Sequence, residues 1–429
     1  MPCLVVAKGD CSQRVGTTSA YQECPALACR PGVLVLLWLA GLLAGPGLRA
    51  QPAAGLASLS GTVRDSLTRQ PLPFASVFLA NTTRGTTADA QGHYALSGVP
   101  AGSYELAATF LGYQLRQRAL QLPAGATQAD LSLPPAAQAL GEVVVRPNPH
   151  RETDYQRFLE LFLGTSSRAR QCRVLNPDAV LIDYDPVQKL LTASVPHALE
   201  VDNPMLGYHL TFHDLRFQAS FAEQGQTVTT LSHLAFRELP GGAGQQRRWA
   251  THRQQAYAGS YMHFLRCTYA GTVAEAGFEV RRLRRVPNRR RAAADSLLRA
   301  RQRELGAAFR QASVPDSVWQ LLHQPRQVTY LYQPLLPAGS FRQAADGRVW
   351  LRFSDLLDVT YPRARPDAYY QPGVPGRART SVLHLQETAA ELTPLGTTAE
   401  PLSVLLEGYW GFEQMGDLLP LDYEPPAAQ

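Results

Sequence analysis

The stretch between residues 61 and 113 constrains the fold most strongly, because it alternates short apolar patterns with tight-turn signals. Asp89-Ala-Gln-Gly92 is one such signal, since Asp bonds its own backbone in turns and Gly tolerates a positive φ. In runs such as 59–63, 75–79 and 94–96, every second residue is apolar. Six or seven runs at this spacing between residues 58 and 134 predict a β-sandwich of about 80 residues.

Five motifs in this stretch resemble a known family. They are Gly-x-Val-x-Asp at 61–65, Pro-Leu-Pro-x-Ala-x-Val at 71–77, Gly-Thr-x-x-Asp-x-x-Gly-x-Tyr at 85–94, Gly-x-Tyr at 102–104 and Leu-Gly-Tyr at 111–113. In this order they resemble the carboxypeptidase regulatory-like domain, a seven-stranded transthyretin-like sandwich of the Bacteroidetes-type cell envelope. The resemblance covers residues 58–134 and implies a module that is not itself catalytic.

The first 50 residues are typical of a signal peptide. Arg30 precedes an apolar run of 12 residues, Val33 to Ala44, and the small residue Ala50 follows at the expected cleavage site. The run is too short for a transmembrane helix, which needs roughly 20 apolar residues. We therefore expect an exported protein, periplasmic or outer-membrane associated, with no transmembrane span after cleavage. Cleavage lowers the net charge from +6 to about +4.

The remaining chain is predicted to be a linker, 135–151, and a larger β-rich α+β domain, 152–424. A hydrophobic content of 45% with 18% charged residues indicates a globular chain. Helical spacing of apolar residues predicts helices over 154–163, 249–265 and 292–309. Most of the other apolar segments are predicted to be strands. The segments 203–208, 256–266 and 408–425 resemble a group of uncharacterised envelope proteins, so the predicted class is mainly β or α+β.

Few residues suggest a catalytic or metal-binding site. His197-Ala-Leu-Glu200 with the distant His323 resembles the ligand set of zinc carboxypeptidases. However, His197 and Glu200 lie between predicted strands, where residues three apart point to opposite faces. His209 and His213 share one strand face, which is more often a partly exposed face than a metal site. We therefore predict no cofactor, no metal and no enzyme; a zinc-dependent carboxypeptidase-like hydrolase with an unrecognised site is the alternative.

Arginines are concentrated after residue 280, and seven of them are candidates for contact with an anionic surface. They are Arg281, Arg282, Arg284, Arg285, Arg289, Arg290 and Arg291. Nucleic acid is an unnatural partner for an exported protein, so we expect an anionic glycan or lipid surface, or an envelope protein. The alternative is a solvated loop followed by a solvated helix face.

Cys172 and Cys267 are the cysteines that remain after the predicted cleavage. In an oxidising compartment they either form a disulfide or stay as two buried free thiols. Together, these features favour a non-enzymatic envelope protein that acts as a binding or scaffold module.

Overall fold

The computed structural model describes residues 3–8, 55–136, 149–222, 225–311, 314–371 and 378–426. Residues Cys3–Lys8 form the first strand, β1. The fold is mainly β, with 41% strand and 24% helix, which confirms the predicted class. Most of the predicted linker, residues 137–148, lies outside the described residues.

The predicted sandwich is confirmed. Its strands are β2 Leu56–Asp65, β3 Ser76–Leu79, β4 Gly85–Thr87, β5 His93–Pro100, β6 Gly102–Thr109, β7 Arg116–Leu122, β8 Gly125–Gln128 and β9 Leu131–Leu133. One sheet has the order β5-β2-β8, with β9 also paired to β2, and the other has the order β4-β3-β6-β7. β8 runs parallel to the first half of β2, and β9 runs parallel to its second half. The two short strands together occupy one strand position, so the eight strands fill seven positions in the two sheets. Leu59, Val77 and Leu106 are fully buried between the sheets.

The turn at Asp89 forms as predicted. The Asp89 carboxylate accepts hydrogen bonds from the backbone N–H groups of Gln91 at 2.9 Å and His93 at 2.8 Å. Gly92 adopts a φ of 76°, and a Cβ atom at this position would lie 2.7 Å from the Val63 carbonyl oxygen. The turn therefore needs glycine for both its backbone conformation and its close approach to β2.

The larger region is built on one long mixed sheet and a small second one. Its strands are β10 Arg173–Val174, β11 Leu181–Asp185, β12 Leu190–Ser194, β13 Ala198–Asn203, β14 Tyr208–Ala222, β15 Gly225–Glu238, β16 Glu279–Pro287, β17 Gln327–Leu335, β18 Arg342–Ala345, β19 Arg348–Leu351, β20 Leu356–Tyr361, β21 Arg379–Leu385, β22 Ala390–Leu392 and β23 Val404–Gly408. The long sheet has the order β10-β13-β14-β15-β1-β23-β21-β20-β16-β17, and β12 joins β11 to β14. The small sheet has the order β18-β19-β22.

Strand β1 lies inside the long sheet. It pairs antiparallel with β15, from Cys3 opposite Leu231 to Lys8 opposite Gln226, and parallel with β23 at Val6 and Leu406. These residues belong to the predicted signal peptide, whose other residues lie outside the described part of the chain. Cleavage after Ala50 would remove β1 and leave the edges of β15 and β23 facing each other.

The helices are α1 Arg151–Phe162, α2 Ala243–Tyr257, α3 Tyr261–Ala270, α4 Arg289–Leu305, α5 Asp316–Leu322 and α6 Tyr409–Phe412. The single helix predicted over 249–265 is wrong, because α2 and α3 are separate. Gly259 has a φ of 78° between them, and the Ser260 hydroxyl accepts a hydrogen bond from the His263 N–H at 3.1 Å, which caps α3. Among the described residues, no helix combines the length and the apolar character needed to cross a membrane.

Helix α1 covers one face of the long sheet through aromatic contacts. Phe158 stacks on Phe162 with ring centroids 5.0 Å apart and meets the edge of Phe217 at 5.0 Å. Phe162 meets Phe212 at 4.9 Å. All four rings are buried, so the packing of α1 on β14 forms the core of this half of the molecule.

The sandwich docks on the larger region through the loop after β3. The Asn81 N–H donates to the Leu234 carbonyl at 2.6 Å, and the Phe236 N–H donates to the Thr82 carbonyl at 3.1 Å. Asp422, near the C-terminal end, accepts hydrogen bonds from the backbone and hydroxyl of Thr83 at 2.9 and 2.5 Å. The loop thus extends the edge of β15 and ties it to the C-terminal segment.

Replacing Phe158 by Ala should destabilise the protein by about 3–5 kcal/mol, because it removes a fully buried ring and leaves a cavity beneath α1. Chemical denaturation followed by circular dichroism measures this change. Leu297→Ala is the matched control, since the Leu297 side chain is 60% exposed, and it should change stability by less than about 0.5 kcal/mol. Equal effects of the two changes would contradict the packing of α1.

Candidate functional site

Residues 281–335, named the basic arm below, extend from the end of the long sheet. Among the described strands, β20 pairs with residues 279–283 of β16, whereas residues 284–287 pair with β17 and with no other strand. The resulting two-stranded ribbon carries α4 and α5 at its tip. Ala294, Val314 and Val318 form a small core of their own between these helices.

Local hydrogen bonds hold the tip of the basic arm together. The Asn288 side chain caps α4 by accepting from the Arg291 N–H at 3.3 Å, and it donates to the Pro325 carbonyl at 3.0 Å. The Arg291 guanidinium donates to the carbonyls of Leu322 and Gln324 at the end of α5. Arg291 is therefore a structural residue of the arm.

The basic arm carries a large excess of positive charge. It contains twelve arginines against three carboxylates, Asp295, Glu304 and Asp316, which gives a formal charge of +9. The whole chain has a net charge of only +6. All the net positive charge of the protein is therefore located in this one extension, and the other residues are net negative.

Most of the seven arginines selected from the sequence have partners within the protein. Arg281 pairs with Glu279 at 2.8 Å, Arg285 binds Glu407 through two hydrogen bonds of 2.8 and 2.6 Å, and Arg282 donates to Asp355 at 2.8 Å. Arg284 lies 3.9 Å from Asp355. The alternative of a solvated loop is wrong for residues 281–285, because these residues form part of strand β16. Arg289 and Arg290 are exposed in the first turn of α4.

Exposed apolar side chains accompany the charge. β17 is the outermost strand of the long sheet, and Tyr330, Tyr332 and Leu335 on it are 51%, 40% and 55% exposed. Leu297 on α4 is 60% exposed. The Arg282 guanidinium lies 5.1 Å from the ring centroid of Tyr332. The arm therefore presents aromatic and aliphatic groups beside cationic ones.

A second feature is a buried ionic cluster near the C-terminal end. The Arg168 Nε donates to the Asp417 Oδ1 at 2.7 Å, and the Ser166 hydroxyl donates to the same oxygen at 2.8 Å. The Glu413 Oε1 lies 3.7 Å from Arg168 Nη2 and 3.9 Å from Arg379 Nη1. The cluster joins the segment after α1 to the segment after α6.

Burial is the largest cause of the pKa shifts of the two carboxyl groups in this cluster. Burial, together with the neighbouring Asp417 carboxylate, raises the pKa of Glu413 to about 8 against the opposing effect of Arg379 and Arg168. Burial also raises the pKa of Asp417, while Arg168 opposes this shift. Glu413 therefore holds a proton at neutral pH in the folded protein.

A cavity of about 1050 Å³ lies beside this cluster, between the sandwich and the larger region. From the sandwich, β6 and β7 line it. From the larger region it is lined by residues 231–236 of β15, α3, residues 391–402, β23 and residues 410–421. Glu413 and Asp417 line it together with Trp410 and Tyr261. This cavity is formed only where the two parts of the chain meet.

The residues considered for zinc do not converge. His197, Glu200 and His323 are all exposed, and among the described residues no three His, Cys, Asp or Glu side chains form a group that could hold a metal ion. His209 is bound to Asp202 at 2.7 Å, and His213 stacks on Phe78 of the sandwich at 5.0 Å. The two histidines on β14 thus have separate structural contacts.

Cys172 and Cys267 are free thiols, and both are partly buried. Cys172 packs against the core beneath α1, and Cys267 packs against the core around α3. Burial raises the pKa of Cys172 to about 12 and also raises the pKa of Cys267. The structure therefore places them in different cores as unreactive thiols.

Comparison with known families identifies the sandwich. Residues 59–145 match the CarboxypepD_reg-like domain family. The match confirms the resemblance seen in the turn and strand motifs, and the CarboxypepD_reg-like domain accounts for about a fifth of the chain. The rest of the chain matches no family. No curated protein matches the chain.

Several solved structures resemble parts of the chain. The pilus 2b backbone protein of group B streptococcus has 16% identity over 19% of this chain and 41% of its own, with a TM-score of 0.17. A cohesin–X-dockerin complex from Acetivibrio cellulolyticus has 18% identity over 26% and 76%, with a TM-score of 0.18. A carbohydrate-binding candidate from Bacteroides uniformis has 9% identity over 43% and 99%, with a TM-score of 0.17. The chain spans less than half of the pilus protein, and TM-scores this low carry no argument about function.

Sequence reasoning missed the cluster of Glu413 and Asp417 with Arg168. The spacing of four residues between the two carboxylates, just after the apolar Tyr409–Phe412 helix, is the only local signal. Nothing near them in the sequence indicates Arg168, since it lies 249 residues before Asp417.

Glu413→Gln should flatten the pH dependence of stability. Because the pKa of Glu413 is raised to about 8 in the folded protein, the unfolded chain releases this proton first, and stability falls as pH rises from about 5 to about 8. Relative to the variant, the wild type should lose about 1 kcal/mol or more across this range. Thermal unfolding at several pH values measures the difference. Glu387→Gln, at an exposed position, should behave like the wild type; an unchanged slope for Glu413→Gln would contradict the assignment.

Proposed function

We propose that this protein is an exported, non-enzymatic binding and scaffold protein of the cell envelope, and that its basic arm docks on an anionic membrane surface. The observation that carries this proposal is the formal charge of +9 on the arm in a chain of net charge +6. Such an excess in one extension attracts polyanionic surfaces over distances of about a Debye length, roughly 8–10 Å.

The apolar groups of the arm favour lipid over a free glycan. Tyrosines are enriched at membrane–water interfaces, because the ring has an apolar body and a polar tip. Tyr330, Tyr332 and Leu335 are exposed on the outermost strand. Tyr330 lies opposite Arg284 in the strand register, and the Arg282 guanidinium lies over the ring of Tyr332. This combination of arginine and exposed aromatic groups suits the headgroup layer of a bilayer.

The CarboxypepD_reg-like domain has a scaffold role in this proposal. The family resemblance implies a non-catalytic module, and the domain is fastened to the larger region by backbone hydrogen bonds at Asn81 and Thr82 and by Asp422. The arm lies on the other side of β23, at the far end of the long sheet. The arm can therefore bind the membrane while the sandwich, at the other end of the long sheet, remains available to another envelope component.

Replacing Arg289, Arg290 and Arg299 by Ser should weaken binding to anionic vesicles. All three are exposed on α4, and Arg291 is spared because it holds the end of α5. Each basic residue near an anionic surface contributes about 1 kcal/mol, so the triple variant should bind roughly 100-fold more weakly. Co-sedimentation with phosphatidylglycerol vesicles measures this affinity.

The matched control removes the same charge from the sandwich. Arg64, Arg116 and Arg118 are exposed there, and their replacement by Ser should leave vesicle binding within about threefold of the wild type. Phosphatidylcholine vesicles and an immobilised anionic polysaccharide complete the comparison. Equal binding of all variants, binding that ignores salt, or a preference for the polysaccharide would contradict the proposal.

Export predicts a defined N-terminus. The mature protein isolated from the envelope fraction should begin at Gln51, and intact mass spectrometry measures this directly. A purified protein that retains residues 3–8 would contradict the predicted cleavage and would keep β1 in the long sheet.

A further inference from the structure

Strand β1 occupies an interior position in the long sheet that the mature protein loses on export. Six residue pairs join Cys3–Lys8 to residues 226–231 of β15, and on its other side β1 pairs with β23 at Val6 and Leu406. Adjacent strands lie about 4.7–4.9 Å apart, so removal of β1 leaves a gap one strand wide between β15 and β23. We name this gap, with residues 226–231 and 404–408 as its walls, the β1 slot.

Contacts that do not involve β1 fix the two walls of the slot. β15 is paired along its other side with β14, and β23 is paired with β21. The segment after β23 is bound to the β14 half of the sheet, because the Gly416 N–H donates to the Leu163 carbonyl at 2.9 Å and the Asn203 side chain donates to the Gly416 carbonyl at 2.9 Å. The bond between Arg168 and Asp417 adds to this connection. These contacts persist without β1, so we expect the slot to stay open.

An open slot leaves backbone groups of the sheet without partners. The N–H groups of successive residues in a strand point to opposite sides, so about half of those in residues 226–231 face the slot. An unpaired backbone group that is kept from water costs free energy comparable to a lost hydrogen bond. Unpaired strand edges therefore bind extended segments of other chains.

The side chains along the slot favour an uncharged, apolar segment. With β1 in place, Val228 is fully buried, and Thr230 and Leu406 are 1% and 2% exposed. Glu407 is the one charged residue in the two walls, and Arg285 already binds it through two hydrogen bonds. A charged occupant would find no counter-ion there, and a proline would remove a strand hydrogen bond.

We propose that the β1 slot of the mature protein binds an extended, apolar segment of a partner polypeptide, six residues long like β1. The segment takes the position of β1 and completes the long sheet. This inference rests on the cleavage in the proposed function, but it does not depend on the basic arm, which lies at the β17 end of the sheet. Vesicle binding and segment binding are therefore lost or kept separately.

The test uses a synthetic peptide of residues 2–10, with Ser in place of Cys3 and a fluorescein label at its C-terminus. Fluorescence anisotropy measures its binding to the processed chain, which begins at Gln51, and to the unprocessed chain. Saturable binding to the processed chain is expected. Binding to the unprocessed chain, whose slot is filled by β1, should be at least about tenfold weaker. The same peptide with Val5→Pro should also bind the processed chain at least about tenfold more weakly, because proline cannot donate to the ladder.

A variant of the unprocessed chain keeps the test independent of how the processed chain folds. Val5→Pro in that chain should release β1 from the sheet and allow the unsubstituted peptide to bind. Equal binding of the two peptides, or no saturable binding to either the processed chain or this variant, would overturn the proposal. A mature protein that retains residues 3–8 would refute the cleavage and this inference together, whereas one that begins at Gln51 and ignores the peptide would refute this inference alone.

Hydrogen exchange locates the bound peptide. In the processed chain, residues 226–231 should exchange rapidly without the peptide and slowly with it. Residues 198–203 of β13, which pair with β14, should not change and are the internal control. Protection of residues 226–231 without the peptide would mean that the slot has closed in a monomer or is filled by a second copy in a dimer. Either result would contradict a partner segment.

Discussion

The pairing of β14 with β15 is the interaction on which the other parts of the structure depend. Thirteen residue pairs join these strands, from Tyr208 opposite Glu238 to Ala222 opposite Gly225. One face of β14 receives the phenylalanines of α1, and its other face receives Phe78 of the sandwich through His213. The edge of β15 receives the sandwich loop at Leu234 and Phe236. Loss of this pairing would therefore disrupt the core, the docking of the sandwich and one wall of the cavity together.

The buried ionic cluster is a second interaction between segments that are distant in sequence, and burying its charges costs free energy. Arg168, Glu413 and Asp417 are each largely removed from water, and such desolvation often exceeds the attraction between the charges. The raised pKa of Glu413 expresses this cost. The cluster joins segments distant in sequence and places two carboxylates on a cavity wall.

The basic arm shows that the role of each arginine depends on the tertiary structure. The number of arginines between residues 281 and 291 is visible in the sequence, but their partners are not. Arg285 faces Glu407 from β23, 122 residues away, whereas Arg289 and Arg290 remain exposed in the first turn of α4. The strand hydrogen bonds of β16 with β17 and β20 place residues 281–285 in the sheet and not in a solvated loop. They also divided the arginines between structural and exposed roles.

The sandwich can be predicted from the sequence alone, because its signals are local. Asp89 and Gly92 specify a turn through their own backbone, and alternating apolar residues specify which face of each strand is buried. The same local logic predicted α1 and most strands of the larger region. It could not predict the break at Gly259, which also depends on the close approach of Tyr361. Three features arise only when the chain has folded: the cavity, the cluster of Arg168 with Asp417 and the exposed face of the arm. These features depend on contacts between distant residues, and no local pattern encodes the distance between them.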